Sequence, residues 1–505
     1  MTSYDFLHRR SFLRHLTGAA FGLAGAGVLK DLRLIQSALA QSPPNTIFSD
    51  YRALVCLFLS GGNDANNLII PYTDDEYTSY AAARSELALA KTAATVTTQQ
   101  PYYILPLSTA QTSGRPFGVH SACPELKTLF DSGKLSFVAN VGTLVEPVTK
   151  AQYSAGTRRL PPQLFSHNDQ VVQWQTSIPD QISTTGWGGR MADLLKDSVW
   201  QAPANNPTAN RISLSISAAG FNTWQVGNHE HLYQVGTAGS GSNSGGAKTL
   251  SGFNSTFAAR TQKIRDIIAL GQNSGQTTNL FQRDFTDVFD RAVDAADTLN
   301  AGLSGISAAN NAIINGAFDP LLVNTQPGEV RSLAGQMKMI AKLIAARSTS
   351  GLDLKRQLFY CQLGGFDTHG GQLTSQPNLL AAVSRNLSAF QSCMEQLAVS
   401  SNVTTFTASD FGRTLPSNGY GSDHGWGTHA MVMGGAVQGG RVLGTFPTLT
   451  IGGPDDTSLG RWIPTTAVDQ YAASLARWLG VTESNLDVIL PNLGRFASRN
   501  IGIFS

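Results

Sequence analysis

The chain has 505 residues, 42% of them apolar and only 14% charged, with 50 glycines, a composition that describes a globular, loop-rich protein and excludes a disordered or coiled-coil one. Residues 1–40 hold five of the 36 Lys+Arg and two of the 34 Asp+Glu, so 31 cations face 32 anions in the remainder (36 − 5 and 34 − 2). That balance offers nothing to nucleic acid.

The first forty residues read as a targeting segment and not as part of the fold. His8-Arg9-Arg10-Ser11-Phe12-Leu13 sets paired arginines before an apolar pair, Leu16 to Leu29 is a weakly hydrophobic Ala/Gly run, and Ala38-Leu39-Ala40 offers small residues at cleavage spacing. The pattern resembles a twin-arginine export signal, and its apolar run falls short of the roughly 20 residues a spanning helix needs. Residues 41–505 then form a single α/β domain, exported to the periplasm or beyond. Cys56, Cys123, Cys361 and Cys393 lack the spacing of a structural zinc site; one or two disulfides and free buried thiols are both open.

Ala53 to Leu59 is a continuous apolar run of strand length, covered on both faces, and ends in Ser60-Gly61-Gly62-Asn63-Asp64. Asn63, Asp64, Asn66 and Asn67 are either oxygen ligands at a strand's carboxyl end or turn residues bonding their own backbone. Residues 73–118 read as an irregular excursion with a helical piece, Tyr77–Leu89. Pro124 to Phe130 is an amphipathic helix stopped near Gly133, followed by the strand Leu135–Val141 in a β-α-β context. Ser166 then starts a helix running through Gln175. It is an N-cap, or a nucleophile placed at the positive end of that helix, with His167 beside it as a base.

Residues 200–330 interrupt the α/β rhythm as an insertion or cap, with a Ser/Gly/Asn-rich loop from Thr237 to Gly246 and helices over Phe257–Leu270 and Phe281–Leu303. His229 and His231 in this stretch read as ordinary polar residues of the surface. The rhythm returns with Val330, Leu333, Met337, Ile340 and Ile344 at helical spacing. The strand Gln357–Leu363 follows and ends in Gly364-Gly365-Phe366-Asp367-Thr368-His369. An amphipathic helix from Leu379 to Leu397 leads to the strand Val403–Ala408, Asp410 at its end, and a Gly-rich connection carrying Asp423, His424 and His429. A last helix shows Val468, Tyr471, Leu475 and Trp478 on one face and stops at Gly480.

Three strand ends thus carry Asp64, Asp367 with His369, and Asp410, the last followed by His424 and His429. Oxygen and imidazole donors without thiolates suit Zn, Mn, Mg or Ca. The expectation is that Asp64, Asp367, His369, Asp410 and at least one of His424 and His429 converge within about 5 Å of one point, the span of a shared or paired metal site. A network of hydrogen-bonded turn residues is the plainer alternative.

The stretches LVCLFLSGGNDANNLIIPY, FSHNDQ, GGFDTHGGQ and SDFGRTLPSNGYGSDHGWGTHAMVMGGAVQGGRVLG resemble the bacterial domain-of-unknown-function family numbered 1501 over essentially the whole chain after the export segment. Through its strand-end motifs that family is similar to the alkaline phosphatase and sulfatase superfamily. The wider resemblance implies a three-layer α/β/α alkaline-phosphatase-like fold with a mostly parallel sheet, and a metal-dependent attack on phosphate esters, less readily sulfate esters. By position Asp64 resembles the first-strand aspartate ligand, Ser166 occupies the nucleophile's place, and Asp367 and His369 resemble an Asp-plus-His ligand pair. Asp410 matches the aspartate of a second pair, and His424 or His429 the late histidine. Phe411 stands where that superfamily usually has a histidine, which leaves a second metal dependent on His167 or an Asn. Arg413 is the residue expected to meet a substrate anion. The partners implied are a small-molecule or glycan ester and, for the precursor, the twin-arginine machinery. The competing reading is a non-catalytic periplasmic or cell-surface binding protein that keeps the fold.

Overall fold

The computed structural model describes residues 47–505 except 109–114, 202–210, 242–245, 247–258, 261, 264, 267–279 and 350, with backbone alone for 280–291. The expected export signal with Arg9 and Arg10, most of the helix expected over 257–270 and part of the 237–246 loop therefore lie outside the described residues. The described residues all belong to one compact unit, Asn45–Ser505.

The strands in chain order are β1 (Arg52–Leu59), β2 (Ile69–Pro71), β3 (Ile104–Pro106), β4 (Phe117–His120), β5 (Leu135–Gly142) and β6 (Ser215–Ser217). They continue as β7 (Tyr233–Gln234), β8 (Arg356–Leu363), β9 (Val403–Ser409), β10 (Thr428–Gly434), β11 (Val442–Leu443) and β12 (Thr466–Ala467). The main sheet runs β11-β5-β10-β9-β1-β8-β6-β7, with β12 also on β5. β1 lies at its centre because Ala53 to Leu59 are buried on both faces, as a continuous apolar run requires. It pairs in parallel with β8 and with β9, so that Leu59 stands opposite both Leu363 and Ser409. β10 is antiparallel to both β9 and β5. β5 consequently runs with β1, and the carboxyl ends of β1, β5, β8 and β9 share one edge with the start of β10. The sheet is mixed but mostly parallel.

Eleven α-helices accompany it among the described residues: α1 (Asp74–Arg84), α2 (Pro124–Asp131), α3 (Lys150–Ala155), α4 (His167–Thr176), α5 (Trp187–Leu195), α6 (Leu280–Ser304), α7 (Ala308–Leu322), α8 (Gly328–Ala345), α9 (Gln372–Gln396), α10 (Val468–Leu479) and α11 (Leu486–Ile489). None is long and apolar enough to cross a membrane. Much of one core is built on Phe406 of β9. The rings of Trp187 from α5, Trp224 and Tyr471 from α10 lie 5.5, 5.6 and 5.9 Å from it. Truncating such a buried aromatic costs about 3–5 kcal/mol.

Three details differ from the sequence reading, and one open choice is decided. The excursion after β1 contains a separate antiparallel sheet, β2-β4-β3, whose strands are too short to show a period. β5 is three places from β1, so the helix before it does not join neighbouring strands. The stretch 200–330 adds β6 and β7 to the main sheet in parallel. The choice left open for the cysteines falls to free thiols, all four of them buried. Cys361 stands opposite Leu57 and Cys56 opposite Tyr360, so the two thiols nearest in the sheet leave opposite faces.

Candidate metal centre

The shared edge gathers loops in the way open α/β sheets form ligand sites. β8 is followed by Gly364 and Gly365, and the same turn carries Asp367 and His369. The connection from β9 to β10 starts and finishes on the same edge, and it delivers Asp410, Arg413, Asp423 and His424. From the end of β5, a loop containing α3 brings Phe165 and α4, whose first residue is His167.

The Asp367 carboxylate is the point of convergence. Its Oδ1 lies 3.5 Å from Nε2 of His167, 3.3 Å from Nε2 of His369 and 3.6 Å from Nε2 of His424. His167, Asp367 and His424 each offer a ligand atom within 4.8 Å of the others. A tetrahedral ion with bonds of about 2.1 Å sets its ligands about 3.4 Å apart, close to those three separations. Nε2 of His167 is buried without a hydrogen-bond partner.

The other nitrogen of each ring is held by an acceptor. Nδ1 of His167 lies 2.8 Å from Oδ2 of Asp410, Nδ1 of His369 lies 3.0 Å from Oδ1 of Asp423, and Nδ1 of His424 lies 2.6 Å from the Phe165 carbonyl. A carbonyl only accepts, so His424 carries its proton on Nδ1; carboxylates select the same tautomer in the other two. All three Nε2 lone pairs then face Asp367. Nε2 of His369 and His424 approach to 2.7 Å, a contact between two lone pairs that calls for a proton or a metal cation between them. Burial holds the His424 pKa below its ordinary value against the pull of the Phe165 carbonyl, which disfavours an extra proton there. At Asp367 burial would raise the pKa, but the Arg413 guanidinium and the imidazoles of His167 and His369 outweigh it and keep the carboxyl below the usual range.

The backbone is shaped to this end. Phe165 takes φ +72°, a left-handed value costly for a non-glycine residue, and thereby points its carbonyl at His424. Gly61 has φ +114°, and a Cβ there would stand 2.4 Å from the Asp367 amide nitrogen; only glycine lets the β1 turn touch the β8 turn. Phe411 fills the floor, its ring 4.6 Å from both His167 and His424.

The predicted ligands are therefore not all in one place. Asp367, His369 and His424 meet, and His167, expected as a base or spare ligand, joins them. Asp410 stands behind His167, its Oδ1 accepting from the Gly61 amide at 3.0 Å. Asp64 is elsewhere: fully buried, it forms an ion pair with Arg84 at 2.5 Å and accepts from Gln372 and Ser422. His429 points into the core, where Nδ1 accepts from the Asn140 amide, the ring stacks on Phe446 at 4.3 Å, and burial lowers its pKa to about 3. The common point expected for Asp64, Asp367, His369, Asp410 and one of the two late histidines thus takes His424 as that histidine, has Asp410 one ring behind it, and loses Asp64 to partners in the interior. Ser166 occupies the N-cap position of α4, but its hydroxyl donates to Asp169 at 2.6 Å and caps no backbone amide. Arg413 is buried and donates to the Gly61, Gly62 and Ser422 carbonyls and to Asp367, so it braces the site from within. Sequence reasoning missed Phe165 altogether and named Asp423 only as a ligand type. The positive φ of Phe165 leaves no mark in residue identity.

The family model described as "Protein of unknown function (DUF1501)" matches residues 51–453. No curated relative matches the chain. A solved structure titled "Crystal structure of Ps i-CgsB" aligns over 88% of this chain and 75% of its own at 10% identity, with a TM-score of 0.31, too loose a superposition to bear on fold or function.

Proposed function

We propose, from a chain that belongs to the DUF1501 family of proteins of unknown function, an exported metal-dependent hydrolase of phosphate esters, or less readily of sulfate esters, on an alkaline-phosphatase-like three-layer scaffold. The observation that carries this reading is the convergence of three imidazole Nε2 atoms on Asp367 Oδ1, each ring held from behind by Asp410, Asp423 or the Phe165 carbonyl. Three imidazoles and one carboxylate favour Zn or Mn over Mg or Ca. A bound ion would supply Lewis acidity at the ester and activate water at neutral pH. His167, His369, His424 and Asp367 would hold it, and the acceptors behind the rings keep the lone pairs directed at it. The Asp367, His369 and Asp423 side chains are about half exposed, which leaves an open approach for a substrate.

Ser166 favours a second reading. A metal-dependent phosphatase using a serine nucleophile needs the metal at its hydroxyl, whereas this hydroxyl donates to the Asp169 carboxylate. Either water is the attacking group, or the site binds metal and ligand without turnover.

Purified from the periplasmic fraction, where the export reading puts it, the protein is expected to contain about one Zn or Mn per chain, to lose it to chelator, and to hydrolyse chromogenic phosphate esters only when metal is restored. His424→Ala should remove both properties. Stoichiometric metal without turnover across phosphate mono- and diesters and sulfate esters selects the binding protein; wild-type protein that takes up no metal ends the metal reading altogether.

A further inference from the structure

A site for an anionic ester needs a cation that is free to meet the anion, and Arg413 has none of that freedom. Four of its N–H groups are committed: Nε to Gly62, Nη1 to Ser422, and Nη2 to both Gly61 and Asp367. Its side chain is fully buried beneath the carboxylate.

Arg461 is placed differently. It lies in the loop between β11 and β12, which returns to the rim of the cluster, where its Nε donates to the His424 carbonyl at 2.9 Å. Its guanidinium lies over the Phe165 ring, 4.8 Å from the centroid. Phe165 and His424 are the two residues joined by the carbonyl-to-Nδ1 bond that orients one imidazole, so Arg461 is anchored on both partners of that bond. The anchor uses Nε and the flat face of the group and leaves the Nη edge, the fork that meets oxyanions in two parallel hydrogen bonds. Among the described residues no carboxylate lies within ion-pair distance of it. Asp423 feels its charge only weakly, behind the contributions of Asn418 and His369. The chain leaving Phe165 also enters α4 at once, and the Ser166 side chain does not cap the first turn of that helix. Its amide end adds positive potential on the same side.

We infer that Arg461 is the substrate-binding residue of this site and that it selects esters bearing a tetrahedral oxyanion, phosphate or sulfate, by a two-pronged contact through Nη1 and Nη2. Its grip on the His424 backbone carbonyl ties that contact to a residue that carries one of the three imidazoles. This inference rests on the hydrolase reading for its substrate but stands on the geometry of Arg461 for its anion.

The test titrates inorganic phosphate and, separately, sulfate into metal-loaded and chelator-stripped protein by calorimetry, with metal content measured on each sample. Wild-type protein should bind one of the two anions, and Arg461→Gln should weaken that binding at least about tenfold while retaining wild-type metal content and melting temperature. Arg461→Lys keeps the charge but not the fork, and should fall between the two. Should Arg461→Gln prove unstable, the lysine variant carries the comparison alone: wild-type affinity in it removes the two-pronged contact. Undiminished anion affinity in Arg461→Gln, or no anion binding by wild-type protein with or without metal, overturns the inference. Absence of metal with phosphate or sulfate binding that still depends on Arg461 would instead defeat the metal reading and leave this one standing.

Discussion

Two neighbouring strands of the sheet end in nearly the same words, Gly61-Gly62-Asn63-Asp64 after β1 and Gly364-Gly365-Phe366-Asp367 after β8, and their aspartates have opposite fates. Asp64 is sealed in the interior by Arg84, Gln372 and Ser422. Asp367 stands half exposed with three imidazoles about it. Glycine pairs at parallel strand ends decide that an aspartate reaches the ligand edge; what the aspartate does there depends on which side chain arrives from elsewhere. Arg84 arrives from α1 and converts the first into an internal ion pair. Arg413 reaches both turns at once, binding the Gly61 and Gly62 carbonyls and the Asp367 carboxylate, but leaves the latter's open side to the histidines.

The contrast is broken most severely on the Asp64 side. Arg84→Met removes one member of a fully buried pair and strands the other, which should cost about 3–5 kcal/mol of unfolding free energy in a denaturant titration. The same measurement on Asp367→Asn should show under about 1 kcal/mol in metal-free protein, since Asp367 itself is half exposed and the buried Arg413 keeps three carbonyl acceptors and an amide oxygen in the carboxylate's place. Equal losses in the two variants would mean that both turns serve the fold alone.

How much of this was legible in the sequence follows the same division. Apolar runs of strand length located β1, β5, β8 and β9, and from their parallel directions the edge where ligands gather. Asp367, His369 and His424 were readable because a strand end followed by glycine leaves few other tasks for such residues, and Asp410 was correctly placed at that edge though it serves behind His167. Asp64 looked identical to Asp367 by every local criterion. Its partner sits twenty positions on, in α1, where an arginine at a helix end reads as ordinary surface charge. His429 is the second residue of β10 and faces inward, so the strand-like run after it was the available warning. The bracing role of Arg413 depends on four acceptors from three separate segments, which no pattern in one segment records.

The comparison is sharpened by the carboxylates that act through the histidines. Asp423 accepts from His369 and from Asn418. The Asn418 hydrogen bond, with His369, holds its carboxyl below the ordinary range even against its partial burial. Asp423→Asn replaces a charged acceptor by a neutral one and should weaken metal binding by about 10- to 100-fold in a competition titration with a coloured chelator, with folding stability little changed. Metal affinity indistinguishable from wild type would remove His369 from the ligand set and reduce the centre to His167, Asp367 and His424.

The smallest effect concerns an aspartate buried like Asp64 but without an equivalent of Arg84. Asp469, in the first turn of α10, is 1% exposed and its Oδ1 has no hydrogen-bond partner. Burial pushes its carboxyl up to about 7, with the Ser177 side chain, the α10 backbone and the Arg190 guanidinium offsetting only part of the cost. The sign follows from proton counting. Between about pH 4, where an unfolded aspartate ionises, and about pH 7, where Asp469 does so in the fold, the folded state binds the extra proton. Stability from this group is therefore greatest at the acid end of that window, falls as pH rises through it, and is level above. Asp469→Asn cannot ionise and escapes the loss, so it should match wild type near pH 4 and exceed it at pH 8 by on the order of 1 kcal/mol, as relaxation around the charge trims the larger ceiling the shift allows. Parallel stability–pH curves for the two proteins would show that Asp469 is paired in solution as fully as Asp64 is, and that burial without a dedicated cation does not set these carboxylates apart.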